Sequence, residues 1–200
     1  MDLTIDRMGA AGDGTAQSPA GQPIHIPFTL PGERISTSWQ AGPRAHYDAI
    51  LTASPERVTP PCPHFGVCGG CAVQHWADAP YAAWKSDLVR QGLFRAGFAS
   101  PAMAPLVRTP PAARRRMDFA VQRSADGVRL GLHQAHSTLV AELEVCPILH
   151  PALAALLAPL RALMPTLTGF RKTADIAANH LPNGVDLLTA PRLSVNCRGD

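Results

Sequence analysis

No stretch of this sequence is long and apolar enough to span a bilayer. The first residues, Met1-Asp2-Leu3-Thr4-Ile5-Asp6-Arg7, lack the basic-then-apolar order of a secretory leader. Membrane insertion and export are thereby disfavoured, and the cytoplasm is the expected compartment. Structural disulfides are rare there, so the 5 cysteines read first as thiols or metal ligands. Internal repeats and low-complexity tracts are missing as well. Aromatic residues make up only 6% of the chain, and lysine is scarce, 16 of the 18 basic residues being arginine.

What is present bounds a soluble chain of one ordinary domain or two small ones, since 200 residues with 46% hydrophobic content can bury a core. The net charge of +3 is unevenly spread. Between Trp84 and Arg129, nine basic residues stand against three acidic ones, giving +6 there and −3 elsewhere. Base composition of the genome accounts for an arginine excess, but not for its clustering. A clustered set suits a phosphate-binding face, because guanidinium forks match phosphate oxygens in pairs. Arg114, Arg115 and Arg116 are the foremost candidates and Lys85 a further one; the bland alternative is a solvated charged surface.

Local patterning predicts an α+β chain. Residues 1–56 read as short strands (Leu3-Thr4-Ile5, Pro23 to Phe28, Tyr47 to Leu51) separated by turns at Gly9 to Gly14 and Leu30-Pro31-Gly32-Glu33, a rhythm that suggests an OB-like β-barrel. Residues 57–190 read as a mixed α/β region. A helix is expected with Asp78 as N-cap, Pro80 in its first turn and Gly97 beyond its end, its Tyr81, Trp84 and Leu88 packing into a core rather than stacking on bases. Asp126-Gly127 and Asn183-Gly184 mark hairpins. A second helix from His150-Pro151 is expected to bury Leu153, Leu156, Leu157, Leu160 and Leu163, with Pro159 kinking or ending it. Residues 191–200 read as a tail, the mark of a truncation, a frameshift or an incomplete chain.

The string Cys62-Pro63-His64-Phe65-Gly66-Val67-Cys68-Gly69-Gly70-Cys71 holds three cysteines in ten residues. Two thiols separated by two residues present both sulfurs from one tight turn, for which Gly69-Gly70 supplies backbone freedom. Cys146, in Glu144-Val145-Cys146-Pro147, is the natural fourth ligand. The spacing is neither that of two-cluster ferredoxins nor the C-x3-C-x2-C of radical-SAM enzymes, and it leaves iron–sulfur and zinc both open. His64 and His75 read as surface or supporting residues, and Cys197 as a bystander.

This string, continued by Ala72-Val73-Gln74-His75 and by Tyr81-Ala82-Ala83-Trp84-Lys85, closely resembles the cluster region of the SAM-dependent RNA uracil-5-methyltransferases, in particular the bacterial 23S ribosomal RNA branch. Ile5-Asp6-Arg7-Met8-Gly9 and Pro27 to Glu33 resemble that family's N-terminal TRAM domain. Arg114-Arg115-Arg116, Leu130-Gly131-Leu132-His133 and Glu144 to Pro147 extend the likeness over roughly residues 3 to 190. The resemblance implies a [4Fe–4S] cluster on Cys62, Cys68, Cys71 and Cys146, and RNA, chiefly 23S rRNA, as partner. For a complete family member it implies methyl transfer from S-adenosylmethionine to carbon 5 of a flipped-out uracil, activated by a catalytic cysteine and a carboxylate base. The family's SAM-binding Rossmann-like domain, with its catalytic residues, has no counterpart in these 200 residues: no strand–Gly-rich loop–helix unit and no Asp-Pro-Pro-Arg occur. The chain is expected to be inactive alone and to supply RNA docking and the cluster. A non-catalytic iron–sulfur or zinc RNA-binding module, or a tRNA rather than rRNA enzyme, are the alternatives.

Overall fold

A computed structural model describes residues 1–191; the expected tail beyond Pro191, with Cys197, lies outside the described residues. The elements are β1 (Asp2–Thr4), β2 (Arg7–Met8), β3 (Gly14–Gln17), β4 (Pro23–Ile26), β5 (Arg34–Ser36), β6 (Ala49–Thr52), α1 (Asp78–Arg95), β7 (Arg116–Ser124), β8 (Gly127–His133), β9 (Val140–Glu142), α2 (Pro151–Ala154), α3 (Leu157–Leu163), a 3₁₀ turn (Met164–Thr166), β10 (Thr173–Leu181) and β11 (Gly184–Ala190). They divide into two units: Met1–Pro60 with Ala72–Val107, and Pro61–Cys71 with the chain from Arg108 onward. No helix among the described residues is long and apolar enough to cross a membrane.

The first unit holds two three-stranded antiparallel sheets, ordered β1-β5-β6 and β2-β3-β4. Strand alternation builds its core: in Pro23-Ile24-His25-Ile26 the two isoleucines are buried, and they meet Leu3, Ile5, Ala16, Ile35 and Ala45. The expected closed barrel is not found among the described residues. The chain changes sheets between adjacent residues instead, the Ile5 amide donating to Glu33 O at 2.9 Å and the Asp6 amide to Thr15 O at 2.8 Å.

Inside this unit Glu33 is fully buried and its carboxylate is saturated. Arg57 donates to both oxygens, from Nε at 2.6 Å and Nη2 at 2.7 Å, and the Leu30 and Ser54 amides donate at 2.8 and 3.2 Å. Burial alone would raise the Glu33 pKa, but Arg57 and the two amides outweigh it and hold the carboxyl below its usual range. His75, also buried, sets its ring edge-on to Phe28, with centroids 6.3 Å apart. Burial, aided by the Arg57 charge, pushes its pKa down to about 4.

The helix α1 starts one residue earlier than the sequence implied: Ala77 occupies the cap and Asp78 lies in the first turn, where its charge favours the positive helix end. Gly97, with φ +97°, follows its end. The expected burial of Tyr81, Trp84 and Leu88 is not found. No residue of α1 is buried, because charges interrupt its apolar positions all round. Trp84 lies between Trp76 and Tyr81 at centroid distances of 5.7 and 5.9 Å, with Lys85 Nζ 4.4 Å over its ring.

The second unit is a five-stranded antiparallel sheet ordered β11-β10-β7-β8-β9. Met117, Phe119 and Val121 on β7 pair with Ala178, Ile176 and Ala174 on β10, placing all six on one face, which α2, α3 and the 3₁₀ turn cover with Leu153, Leu157, Leu160 and Met164. The helix expected from His150 is interrupted at Ala155-Leu156. Pro159 has no N–H for the Ala155 carbonyl four residues back, and its ring crowds that carbonyl. Leu163, expected inside, is exposed, and Met164 is buried in its stead.

Candidate metal centre

Cys62, Cys68, Cys71 and Cys146 all belong to the second unit, and all four are free, half-buried thiols. Two short turns shape the loop of the first three. The Phe65 amide donates to Cys62 O at 3.1 Å, and the Val67 and Cys68 amides donate to His64 O at 3.2 and 2.9 Å. Cys68 then bridges to Gln134, beyond β8, and the Gly69 amide donates to His133 O at 2.9 Å. Neither Gly69 nor Gly70 has a positive φ, so backbone freedom is not what the pair provides. Close approach is: a Cβ on Gly69 would lie 2.8 Å from His133 O and 2.9 Å from Ala135 N.

The sulfurs are met by backbone amides. The Gly70 amide donates to Cys68 Sγ at 3.4 Å, and the Ile148 and Leu149 amides serve Cys146 in the same way. Such N–H groups favour thiolate over thiol. Burial opposes them and raises the pKa of both Cys68 and Cys146, and the charges of Cys71 and Cys62 raise each further. Four sulfurs thus share one electrostatic neighbourhood at the rim of the hydrophobic core, where Cys68 and Cys146 pack. By donor chemistry alone, a set of four cysteines fits a centre that takes four sulfurs. Among the described residues no three His, Cys, Asp or Glu side chains stand close enough together to hold a metal ion. His64, which the sequence suggested only as a supporting residue, accepts the Glu144 amide on Nε2 at 3.2 Å.

Lys85 belongs to the first unit and the arginine triplet to the second. Arg114, Arg115 and Arg116 are exposed, and none forms an ion pair with a described carboxylate. They do not form one patch. Arg114 is held by its backbone to Ile148 and His150. The Arg115 backbone pairs with His180 and Arg116 with Asn179, so the side chains of Arg115 and Arg116 leave opposite faces of the sheet. Arg123, from the same basic segment, is structural: Nη2 donates to Leu167 O at 2.7 Å and the guanidinium lies 4.7 Å over Phe170. Local sequence pattern missed His150 and His180, whose rings stack at 3.9 Å, because only the sheet register brings them together.

The chain has relatives among known proteins. An RNA methyltransferase of Caulobacter vibrioides is 43% identical over 82% of this chain and 39% of its own length. Another, of Brucella suis, is 42% identical over 92% of this chain and 44% of its own length. These relatives are RNA methyltransferases, and the chain is similar to their N-terminal portion. More particularly, it is similar to the 23S rRNA (uracil(1939)-C(5))-methyltransferase RlmD of Halomonas elongata, 35% identical over 88% of this chain and 38% of that protein. The chain spans less than half the length of the relatives it matches. No family model matches it.

Proposed function

We propose that this chain is the RNA-docking, cluster-holding part of an RNA uracil-C5-methyltransferase acting on 23S rRNA. The observation that carries the reading is the gathering of Cys62, Cys68, Cys71 and Cys146 as free thiols in one unit of a chain related to RlmD. A [4Fe–4S] cluster would use all four as ligands, and its chemistry here is that of a staple joining the loop of residues 61–71 to the turn at Cys146. The amides of Gly70, Ile148 and Leu149 partly offset the burial that raises the Cys68 and Cys146 pKa values, and so ease their conversion to thiolate ligands. Exposed arginines on the second unit and the cation–aromatic stack of Lys85, Trp84 and Tyr81 on the first offer phosphate and base contacts to RNA. Methyl transfer from S-adenosylmethionine is assigned to the whole protein, and no residue of this chain is given a catalytic role.

The test is anaerobic purification followed by iron, sulfide and zinc analysis with a visible absorption spectrum. Four irons and four sulfides per chain, lost together in C146S, are expected. Stoichiometric zinc without sulfide sinks the cluster. An RNA-binding assay with a salt titration tests the other half: binding should weaken steeply with salt, and its absence at low salt overturns the docking role.

A further inference from the structure

His150, which caps α2, and His180, next to the last residue of β10, lie parallel, their centroids 3.9 Å apart and their planes 18° from coincidence. His150 Nδ1 accepts the Ala152 amide at 3.2 Å, and His180 Nδ1 accepts Arg115 Nε–H at 3.2 Å. With both Nδ1 atoms used as acceptors, each neutral ring carries its proton on Nε2. The stack therefore offers two N–H donors beside a guanidinium. We propose that His150, His180 and Arg115 form a proton-linked binding site for an RNA backbone phosphate, an inference that rests on the docking role proposed above.

The surrounding charges leave the site without an anion of its own. Arg115 and Arg114 approach from the segment leading into β7, the latter pairing its backbone with His150. Arg116 and Asp186 both pair with Asn179, so they leave the opposite face of the sheet from His180. Opposite His180 on β11 stands Val185, and α2 carries no charged residue. Among these neighbours no carboxylate faces the rings.

A proton added at His180 Nδ1 would confront Arg115 Nε–H, donor against donor. An oxygen of a bound phosphate resolves the conflict by accepting from both. Partial burial, followed by the charges of His150 and Arg115, holds the unliganded His180 below the usual histidine range. A bound anion favours the charged form and raises that pKa. Binding therefore takes up a proton, and affinity rises as pH falls below the histidine range. A phosphodiester stays singly charged throughout, so the pH dependence belongs to the protein.

The experiment measures binding of a rhodamine-labelled single-stranded RNA to the 200-residue chain between pH 8 and pH 5.5, with salt titrations and a melting curve at each pH. Wild type should bind roughly three- to tenfold more tightly at the lower pH, with a salt slope steeper by about 0.7 for one added contact. The variants are His180→Asn and His150→Asn, the second chosen because asparagine also caps helices. Either one that retains its melting temperature should lose both low-pH gains. Wild-type affinity that ignores pH, or a pH dependence that survives in the folded variants, overturns this site and leaves RNA docking intact. No binding at any pH overturns the docking role and this inference with it.

Discussion

The Glu144 amide donates to Nε2 of His64 at 3.2 Å, across 80 positions of sequence, joining the segment of Cys146 to the loop of the other three cysteines. This link ties the two cysteine-bearing segments together. His64→Ala should leave the chain folded but release the proposed cluster roughly fivefold faster under a chelator, the worth of about 1 kcal/mol for one hydrogen bond. The decay of visible absorbance checks it, and an unchanged rate would show that the link is dispensable.

Gly69 and Gly70 should respond differently to a methyl group. Gly69→Ala drives Cβ against the fixed backbone of His133 to Ala135, and a loss of about 1–3 kcal/mol is expected. Gly70→Ala meets the tip of Leu132 at 2.9 Å, a flexible side chain that can turn aside, so its loss should be the smaller. Denaturant unfolding of the two variants side by side decides the order.

Removing Arg57 strands the Glu33 carboxylate in the core of the first unit. Arg57→Leu should cost about 3–5 kcal/mol at neutral pH, as for other broken buried pairs. The folded pKa of Glu33 lies below its unfolded value, so its contribution is complete above about 4.5 and fades as pH falls through the lower folded value. The penalty of the variant should therefore shrink in acid, which melting at pH 7 and pH 3 would show.

His75 acts over a different window. Its folded pKa of about 4 lies below the 6.5 of an exposed histidine, so the fold favours the neutral ring. Stability is complete above pH 6.5 and declines by up to about 3 kcal/mol as pH falls toward 4. His75→Phe keeps a ring against Phe28 and removes the proton site. It should flatten the stability profile between pH 6.5 and 4, and an unaltered slope would assign that slope elsewhere.

The elements legible in the sequence were those with local causes. Strand alternation at Ile24 and Ile26, the turn residue Gly184 with φ +142° and the break near Pro159 each follow from a few neighbouring residues. The cysteine loop was legible as a motif, but its glycines were misread: their requirement comes from His133 to Ala135, some 65 residues away in sequence. Tyr81 and Trp84 were misread for a related reason. Helical spacing identifies a face but not whether another element covers it. The partition into two small sheets, and the meeting of His150 with His180, depend on register between distant strands, which no local pattern carries.

The chain enters the second unit at Pro61, returns to the first at Ala72 and leaves it again after Val107. This interleaving sets an order of events during synthesis. Three cysteines leave the ribosome together, and the fourth, Cys146, follows only after Cys71 has been waiting for about 4–15 seconds at bacterial elongation rates of roughly 5–20 residues per second. For most of that interval the first three thiols have neither their fourth partner nor the His133 to Ala135 segment against which Gly69 packs. Thiols so arranged are open to oxidation in the nascent chain, and delivery of the proposed cluster belongs after the second unit has closed.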